Sequence, residues 1–258
     1  MSLDLLQVLE SVDSTNLYLK RLAAEGAADG AAVLAREQTA GRGRLARSFA
    51  SPRGGGLYLS VLLRPALSVA DAPFLTELAA LAAAEAVEEA VSERGGSISV
   101  GIKWVNDLIA GGRKLAGILS ESALTPDGAL DYAVVGIGIN LRAGMLPAEL
   151  AEIATTVEDE AEVCLDPIPL ARRIADKLRL GARALSEEGG AALIEAYRRR
   201  MVLFGKTVTV TRGEERFPAR VLDLNGRGEL IVSRISDGAR EVLSAGEVTL
   251  HRETGEQT

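Results

Sequence analysis

Residues 98–121 read ISVGIKWVNDLIAGGRKLAGILSE. Two apolar runs, Ile98–Ala110 and Lys114–Glu121, flank Gly111-Gly112, a pair suited to the positive φ values of a tight hairpin turn. The stretch predicts two antiparallel strands, and hence a sheet. Alternation along the first strand puts Lys103, Val105 and Asp107 on one face and Trp104 and Asn106 on the other. Taken alone, a charged pair on one strand face reads as a surface ion pair. Lys114, just past the turn, either reaches an anion at a pocket mouth or guards a sheet edge against aggregation.

Further strands are predicted at residues 31–37, at Leu57–Leu63 (LYLSVLL) and at Tyr132–Leu141 (YAVVGIGINL). Glycines alternating at 136 and 138 mark the close approach of a ligand or another backbone, or a simple packing contact. Helical patterning begins at Ser14, a hydroxyl cap followed by Leu17, Leu19, Leu22 and Ala23. A second helix is predicted over Asp71–Arg94, with Pro73 near its start and Gly95-Gly96 at its end. A third segment, Leu170–Met201, breaks near Gly189-Gly190. The character changes at Leu203. Short runs at Thr207–Thr211, Ala219–Leu224, Leu230–Ile235 and Val248–Leu250 alternate with turn signals at Arg212-Gly213, Asn225-Gly226 and Asp237-Gly238. This spacing predicts a small β barrel or sandwich, and two domains, 1–202 and 203–258. The tail after His251 is polar and is expected to fray.

Composition narrows the function. A net charge of −7 argues against a protein whose main task is holding nucleic acid. The one cysteine, Cys164, excludes an internal disulfide and any multi-cysteine metal site, so no metal ligands are assigned. With His251 as the one histidine, a Ser-His-Asp or Cys-His centre is disfavoured. Met1–Glu10 lacks the features of a leader, and Glu77, Glu85, Glu88 and Glu89 interrupt the Ala-rich stretch that could otherwise span a membrane. A cytoplasmic protein without membrane contact is expected.

Against this acidic background, Arg42, Arg44, Arg47 and Arg53 lie within residues 41–53 with no acidic residue among them. Glycines at 41 and 43 let the backbone approach a ligand, and guanidinium groups bind phosphate or carboxylate bidentately. The alternatives by composition are a solvated basic loop and an RNA-contacting segment.

Together and in this order, Ser14-Thr15-Asn16, Gln38, GRGRLAR (41–47), KWVNDL (103–108), RKLAGIL (113–119) and GIGIN (136–140) resemble the biotin protein ligases. The resemblance covers essentially the whole chain. It implies an α+β fold: a mixed-sheet catalytic domain flanked by helices, of the class II synthetase-like biotin/lipoate ligase type, plus a small C-terminal SH3-like barrel. It implies ATP-dependent formation of biotinyl-5′-AMP with magnesium assisting, then transfer of biotin to a lysine of a biotin carboxyl carrier domain of a biotin-dependent carboxylase. No enzyme nucleophile is needed, which suits a chain so poor in cysteine and histidine. By resemblance, Ser14, Thr15, Asn16 and Gln38 bind the ureido end of biotin. Arg42, Gly43 and Arg44 cover its tail and the phosphate, with Gly117 beside them. Arg47 engages nucleotide phosphate, and Phe49, Lys103, Asn106 and Asn140 belong to the ATP and adenylate side, Asn140 at the adenine. Lys114 holds the biotin carboxylate and then the adenylate phosphoryl oxygen; Asp107 orients the acceptor amine or takes its proton. The Gly/Arg loop is expected to be mobile until ligand arrives.

Three positions depart from the family pattern: Ala46 replaces a glycine, Phe49 a tryptophan, and Val105 the proline of KWPNDL. None removes a charge, so they bear on affinity and loop kinetics. Because the Ser-Thr-Asn motif starts at residue 14, no helix-turn-helix domain is expected ahead of it, and no DNA binding. Family members often pair through the sheet, which allows a homodimer. The nearest alternative is a lipoate or octanoate ligase or transferase of the same superfamily. A thiol-dependent member would have to use Cys164, which lies outside every ligand motif and is expected to be buried or incidental. A non-catalytic RNA-binding module is disfavoured, because residues 203–258 hold 8 Lys/Arg against 9 Asp/Glu.

Overall fold

The computed structural model describes residues 5–244 and 247–250. The polar tail after His251 and the first four residues of the N-terminal segment lie outside them. Strands β1 (Leu6–Leu9), β2 (Ala32–Ala35), β3 (Gly56–Leu63), β4 (Gly101–Lys103), β5 (Asp107–Ala110), β6 (Arg113–Leu124) and β7 (Leu130–Asn140) form one mixed sheet in the order β1-β2-β3-β7-β6-β5-β4. β1 and β2 are parallel and the other pairs are antiparallel.

Helices α1 (Thr15–Ala24), α2 (Phe74–Ser92), α3 (Val157–Ala161), α4 (Pro167–Glu188) and α5 (Ala191–Arg199) complete this part. α1 packs on one face of the sheet through Leu19 and Ala23 against Val33, Leu62 and Val134. α2 and α4 cover the opposite face, where Leu57, Leu59, Val61 and Leu63 of β3 join the main core. β3 is thus covered on both sides, which is why LYLSVLL reads as a continuous apolar run instead of an alternating one. α4 begins with Asp166 as N-cap, its carboxylate accepting from Ile168 N at 2.9 Å, and Pro167 in the first turn.

Residues 98–110 are not one strand. β4 and β5 are separate, joined by a turn at Trp104–Asn106, with the Trp104–Val105 peptide cis. Lys103 and Asp107 face each other across the two strands, instead of following one another along one. The turn is fixed by side chains that apolar periodicity does not register. Trp104 Nε1 donates to Gly228 O at 2.9 Å, Asn106 Nδ2 to Ile118 O at 3.0 Å, and the Tyr197 hydroxyl to Val105 O at 2.9 Å. The hairpin at Gly111-Gly112 forms as expected, both glycines having positive φ.

After Leu203, strands β8 (Thr207–Arg212), β9 (Glu215–Leu224), β10 (Leu230–Arg234), β11 (Arg240–Leu243) and β12 (Glu247–Leu250) make an antiparallel sheet ordered β11-β10-β9-β8-β12. Among the described residues no pairing closes β11 onto β12. The two sheets meet at the Asn225–Glu229 turn, where Gly228 lies against Glu77 of α2 and under Trp104. No described helix is long and apolar enough to cross a membrane.

Candidate active site

The α1 face of the large sheet carries an open cleft. Its floor is set by register. Gly117, Gly138 and Tyr58 form one row across β6, β7 and β3, and Leu119, Gly136 and Ser60 the next. Paired residues project to the same side of a sheet, so Gly136 and Gly138 leave the floor bare. Side chains use that space. A Cβ at Gly136 would overlap Asn16 Oδ1, and one at Gly138 would come within 2.5 Å of the Phe49 ring.

One end of the cleft is a polar network at the start of α1. Thr15 donates to Gln38 Oε1 from its backbone N–H at 2.9 Å and its hydroxyl at 3.0 Å, while Gln38 Nε2 donates to Ser51 Oγ at 2.9 Å. The fully buried Ser60 hydroxyl lies 2.8 Å from Thr15 Oγ1 and 2.6 Å from Asn16 Oδ1. Asn16 Nδ2 donates to Leu119 O at 3.1 Å and to Glu121 Oε2 at 2.9 Å. Both N–H bonds of that amide are therefore spent, and Asn16 braces the wall. Ser14, 2% exposed, carries no capping hydrogen bond on its hydroxyl, leaving it directed at the cleft with Thr15.

The other end is cationic. Arg42, Arg44, Arg47, Lys103 and Lys114 line it against one acid, Asp107. This balance suits an anionic ligand, since the site already carries the countercharge. Lys114 Nζ lies 2.6 Å from Asp107 Oδ1 and above Gly117, where a Cβ would come within 3.2 Å. The Lys114 backbone is gripped by the segment before α3: its N–H donates to Ile153 O and its carbonyl accepts from Thr155 N, each at 2.9 Å. Thr155 is held in turn by Glu160, which accepts from Thr155 Oγ1 at 2.6 Å and from Arg113 Nη2 at 3.0 Å.

The Gly/Arg segment folds over the cleft as a short turn closed by its own backbone. Phe49 N donates to Gly41 O at 2.9 Å and Gly43 N to Arg47 O at 2.7 Å. Its left-handed residue is Leu45, at φ 54°. Arg44 Nη1 donates to Asn106 Oδ1 at 3.0 Å, and Arg42 Nη1 to Glu121 Oε1 at 3.3 Å.

Of the residues expected from sequence, Ser14, Thr15, Asn16, Gln38, Arg42, Gly43, Arg44, Arg47, Phe49, Lys103, Asn106, Asp107, Lys114 and Gly117 all line this one cleft. Asn140 does not. It is 7% exposed, and its amide donates to Thr155 O at 3.0 Å, which places it behind Lys114. Cys164 is exposed and outside the cleft, so of the two expectations, buried or incidental, burial does not hold. Sequence reasoning missed Ser60, Glu121 and Val248, the last reaching the cleft from β12. A hydroxyl inside LYLSVLL was a usable signal, because a buried polar group needs partners. Glu121, the lone acid ending RKLAGILSE, was another.

The likeness to known proteins agrees with this geometry. Residues 8–140 match the Biotin/lipoate A/B protein ligase family. The chain is 38% identical over 157 residues to the bifunctional ligase/repressor BirA of Bacillus subtilis; the aligned part is 60% of this chain and 46%, about half, of that protein. It is 33% identical over 245 residues to the biotin--[acetyl-CoA-carboxylase] ligase of Paracoccus denitrificans, covering 93% of this chain and 98% of that one. Its fold is similar to the biotin protein ligase of Aquifex aeolicus solved with biotin and ATP: TM-score 0.76, 27% identity, 97% of this chain and all of that one (100%). With more than half its length matched and a relative of its own size aligned end to end, the chain belongs to the biotin/lipoate A/B protein ligase family, among its biotin protein ligases.

Proposed function

We propose that this chain activates biotin with ATP and transfers it to a lysine of a biotin carboxyl carrier domain. The observation that carries the reading is a single cleft with a neutral hydroxyl-and-amide end, Ser14, Thr15 and Gln38, and a cationic end around Lys114. The neutral end suits a ureido ring. The Ser14 hydroxyl, which makes no capping bond, and the second N–H of the Gln38 amide are the groups a ureido ring would pair with, and an acyl chain lacking that ring would leave them unsatisfied. The cationic end suits the triphosphate and the biotin carboxylate.

In the first step a carboxylate oxygen of biotin attacks the α-phosphorus of ATP, and the bond to the β-phosphate breaks, releasing pyrophosphate. Lys114 and the loop arginines offset the charge gathered on the phosphoryl oxygens. In the second step the carrier amine attacks the acyl carbon, the acyl–phosphate bond breaks and AMP leaves. Asp107 orients the amine and receives its proton directly or through water. The site residues keep the roles expected above, except that Asn16 and Asn140 act as braces. Magnesium is proposed to arrive with ATP. Among the described residues no cluster of three acidic, His or Cys groups forms a resident metal site, and Asp107 is the one carboxylate on the cleft wall. The ion's other ligands would then be phosphate oxygens and water.

The proposal extends to organisation: a catalytic domain over 1–202 and an SH3-like module over 203–258, supported by the five-stranded antiparallel sheet. A cytoplasmic location and a homodimer through the sheet belong to it, β1 having a neighbour on one side only among the described strands. DNA is left out of the partners on the net charge of −7. The test is intact-mass analysis of a carrier domain incubated with the protein, ATP, magnesium and either biotin or lipoate. A biotin-sized gain, lost when the carrier lysine is replaced, is expected. A gain with lipoate alone would assign the chain to the sister activity, and no gain with either would overturn both.

A further inference from the structure

Glu121 does not itself line the cleft, but it contacts lining residues from both of its ends, Asn16 and Arg42. It lies near the end of the long β6 and projects to the α1 face, in register with Val134 of β7. Its carboxylate is two-pronged. Oε2 accepts from Asn16 Nδ2 at 2.9 Å; Oε1 accepts from Lys20 Nζ at 3.1 Å and from Arg42 Nη1 at 3.3 Å. The side chain is 19% exposed, whereas those of Lys20 and Arg42 are 36% and 43% exposed. The fixed member of this cluster is therefore the acid, and the arginine is the member that the loop can carry away.

Burial by itself would raise the Glu121 carboxyl. The hydrogen bonds from Asn16 and Lys20, with the charges of Lys20 and Arg42, outweigh it and hold the group below the usual carboxylate range. The acid is thus ionised wherever the protein is folded near neutrality. Asn16 in turn has its oxygen on Ser60, which also touches Thr15. One unbroken chain of contacts runs from Thr15 through Ser60, Asn16 and Glu121 to Arg42 of the Gly/Arg loop.

We infer that Glu121 is a positioning residue that latches the Gly/Arg loop, through Arg42, to the wall that holds the neutral end of the substrate. Ordering that wall and closing the loop are then one event. The inference rests on the proposed biotin chemistry for its kinetic test and stands apart from it for its structural one. Glu121→Gln keeps an oxygen for Asn16 and the size of the side chain while removing the charge that holds Arg42.

Two measurements on the full chain decide it. In the first, pyrophosphate release is followed against biotin for the wild type, Glu121→Gln, Arg42→Gln and the double variant. Losing this partly exposed charge-assisted contact should raise the KM for biotin about tenfold in Glu121→Gln, and Arg42→Gln, which also loses the arginine's own place over the substrate, should raise it at least as much. The double variant should then be no worse than Arg42→Gln alone. Independent effects, in which the double variant's KM rises about tenfold above that of Arg42→Gln, would overturn the latch, as would an unchanged KM in Glu121→Gln. In the second, hydrogen exchange over residues 41–49 is compared in the wild type and Glu121→Gln without substrate. Faster exchange in the variant is expected, and equal exchange would overturn the latch whatever the substrate is. Absence of any biotin-dependent pyrophosphate release in the wild type would instead count against the proposed function, leaving the exchange result to decide the latch.

Discussion

Lys114 and Asp107, 2.6 Å apart, are set by different means: the lysine backbone by the strand-like grip of Ile153–Thr155, the aspartate by pairing with Lys103. Removing the lysine amine leaves the phosphoryl charge to the loop arginines alone, so Lys114→Ala should slow pyrophosphate release on the order of a hundredfold. Asp107→Ala should slow carrier labelling from preformed adenylate more than it slows adenylate formation; equal loss in both steps would remove its role at the amine. Glu77 makes a different kind of statement. Its side chain is 2% exposed, Oε2 has no hydrogen-bond partner among the described residues, and burial pushes the carboxyl up to about 8. The folded protein keeps this proton to about 8, while the unfolded chain releases it near the ordinary value of 4.5. The unfolded state therefore binds fewer protons across that window, and stability should fall by about 1.4 kcal/mol per pH unit from this group. The loss is absent below the lower value and complete above the higher one. Glu77→Gln should flatten the dependence, which melting curves at pH 5.5 and pH 8 would reveal; parallel curves for both proteins would refute it.

At the scale of elements, the cleft is a product of register. Shifting β7 by one residue would place Ile137 and Ile139 on the α1 face and fill the floor. Gly136→Ala keeps the register and adds one methyl group against Asn16 Oδ1. The expected result is a higher KM for biotin with folding retained, read by pyrophosphate release and a thermal melt. The strands that build this floor were legible because β3, β6 and β7 are long and apolar. The turn at Trp104–Asn106 was not, because what breaks β4 from β5 is hydrogen bonding by Trp104, Asn106 and Tyr197 to distant carbonyls. Asn140 shows the same limit. Its neighbours in GIGIN placed it near the ligand, while its amide is committed to Thr155, 15 residues away. The residues that line the cleft were readable as motifs; the braces behind them were not, since a brace is defined by a partner far along the chain.

For the whole molecule, the one tryptophan joins the two sheets and also lines the cleft. Its fluorescence should respond both to saturation with biotin and ATP and to any loosening at Gly228. Trp104→Phe, which keeps an aromatic side chain but loses the five-membered ring with its N–H, leaves Gly228 O without that donor and should cost at least about 1–3 kcal/mol of stability. An unchanged melting temperature would show that the contact with Gly228 carries no weight. Val248, from β12, adds a second route by which the smaller sheet shapes the site.

The facing glycines at 117 and 138 also make the site alterable by design. The Phe49 ring occupies the room they leave, so ring and gap are complementary volumes. Trimming Phe49 to alanine would open a hole about the size of a phenyl group over an otherwise intact floor. A nucleotide analogue carrying a matching bulky substituent could fill that hole and would be shut out by the natural ring. The variant would then accept an analogue that the unaltered protein refuses, by the change of one side chain.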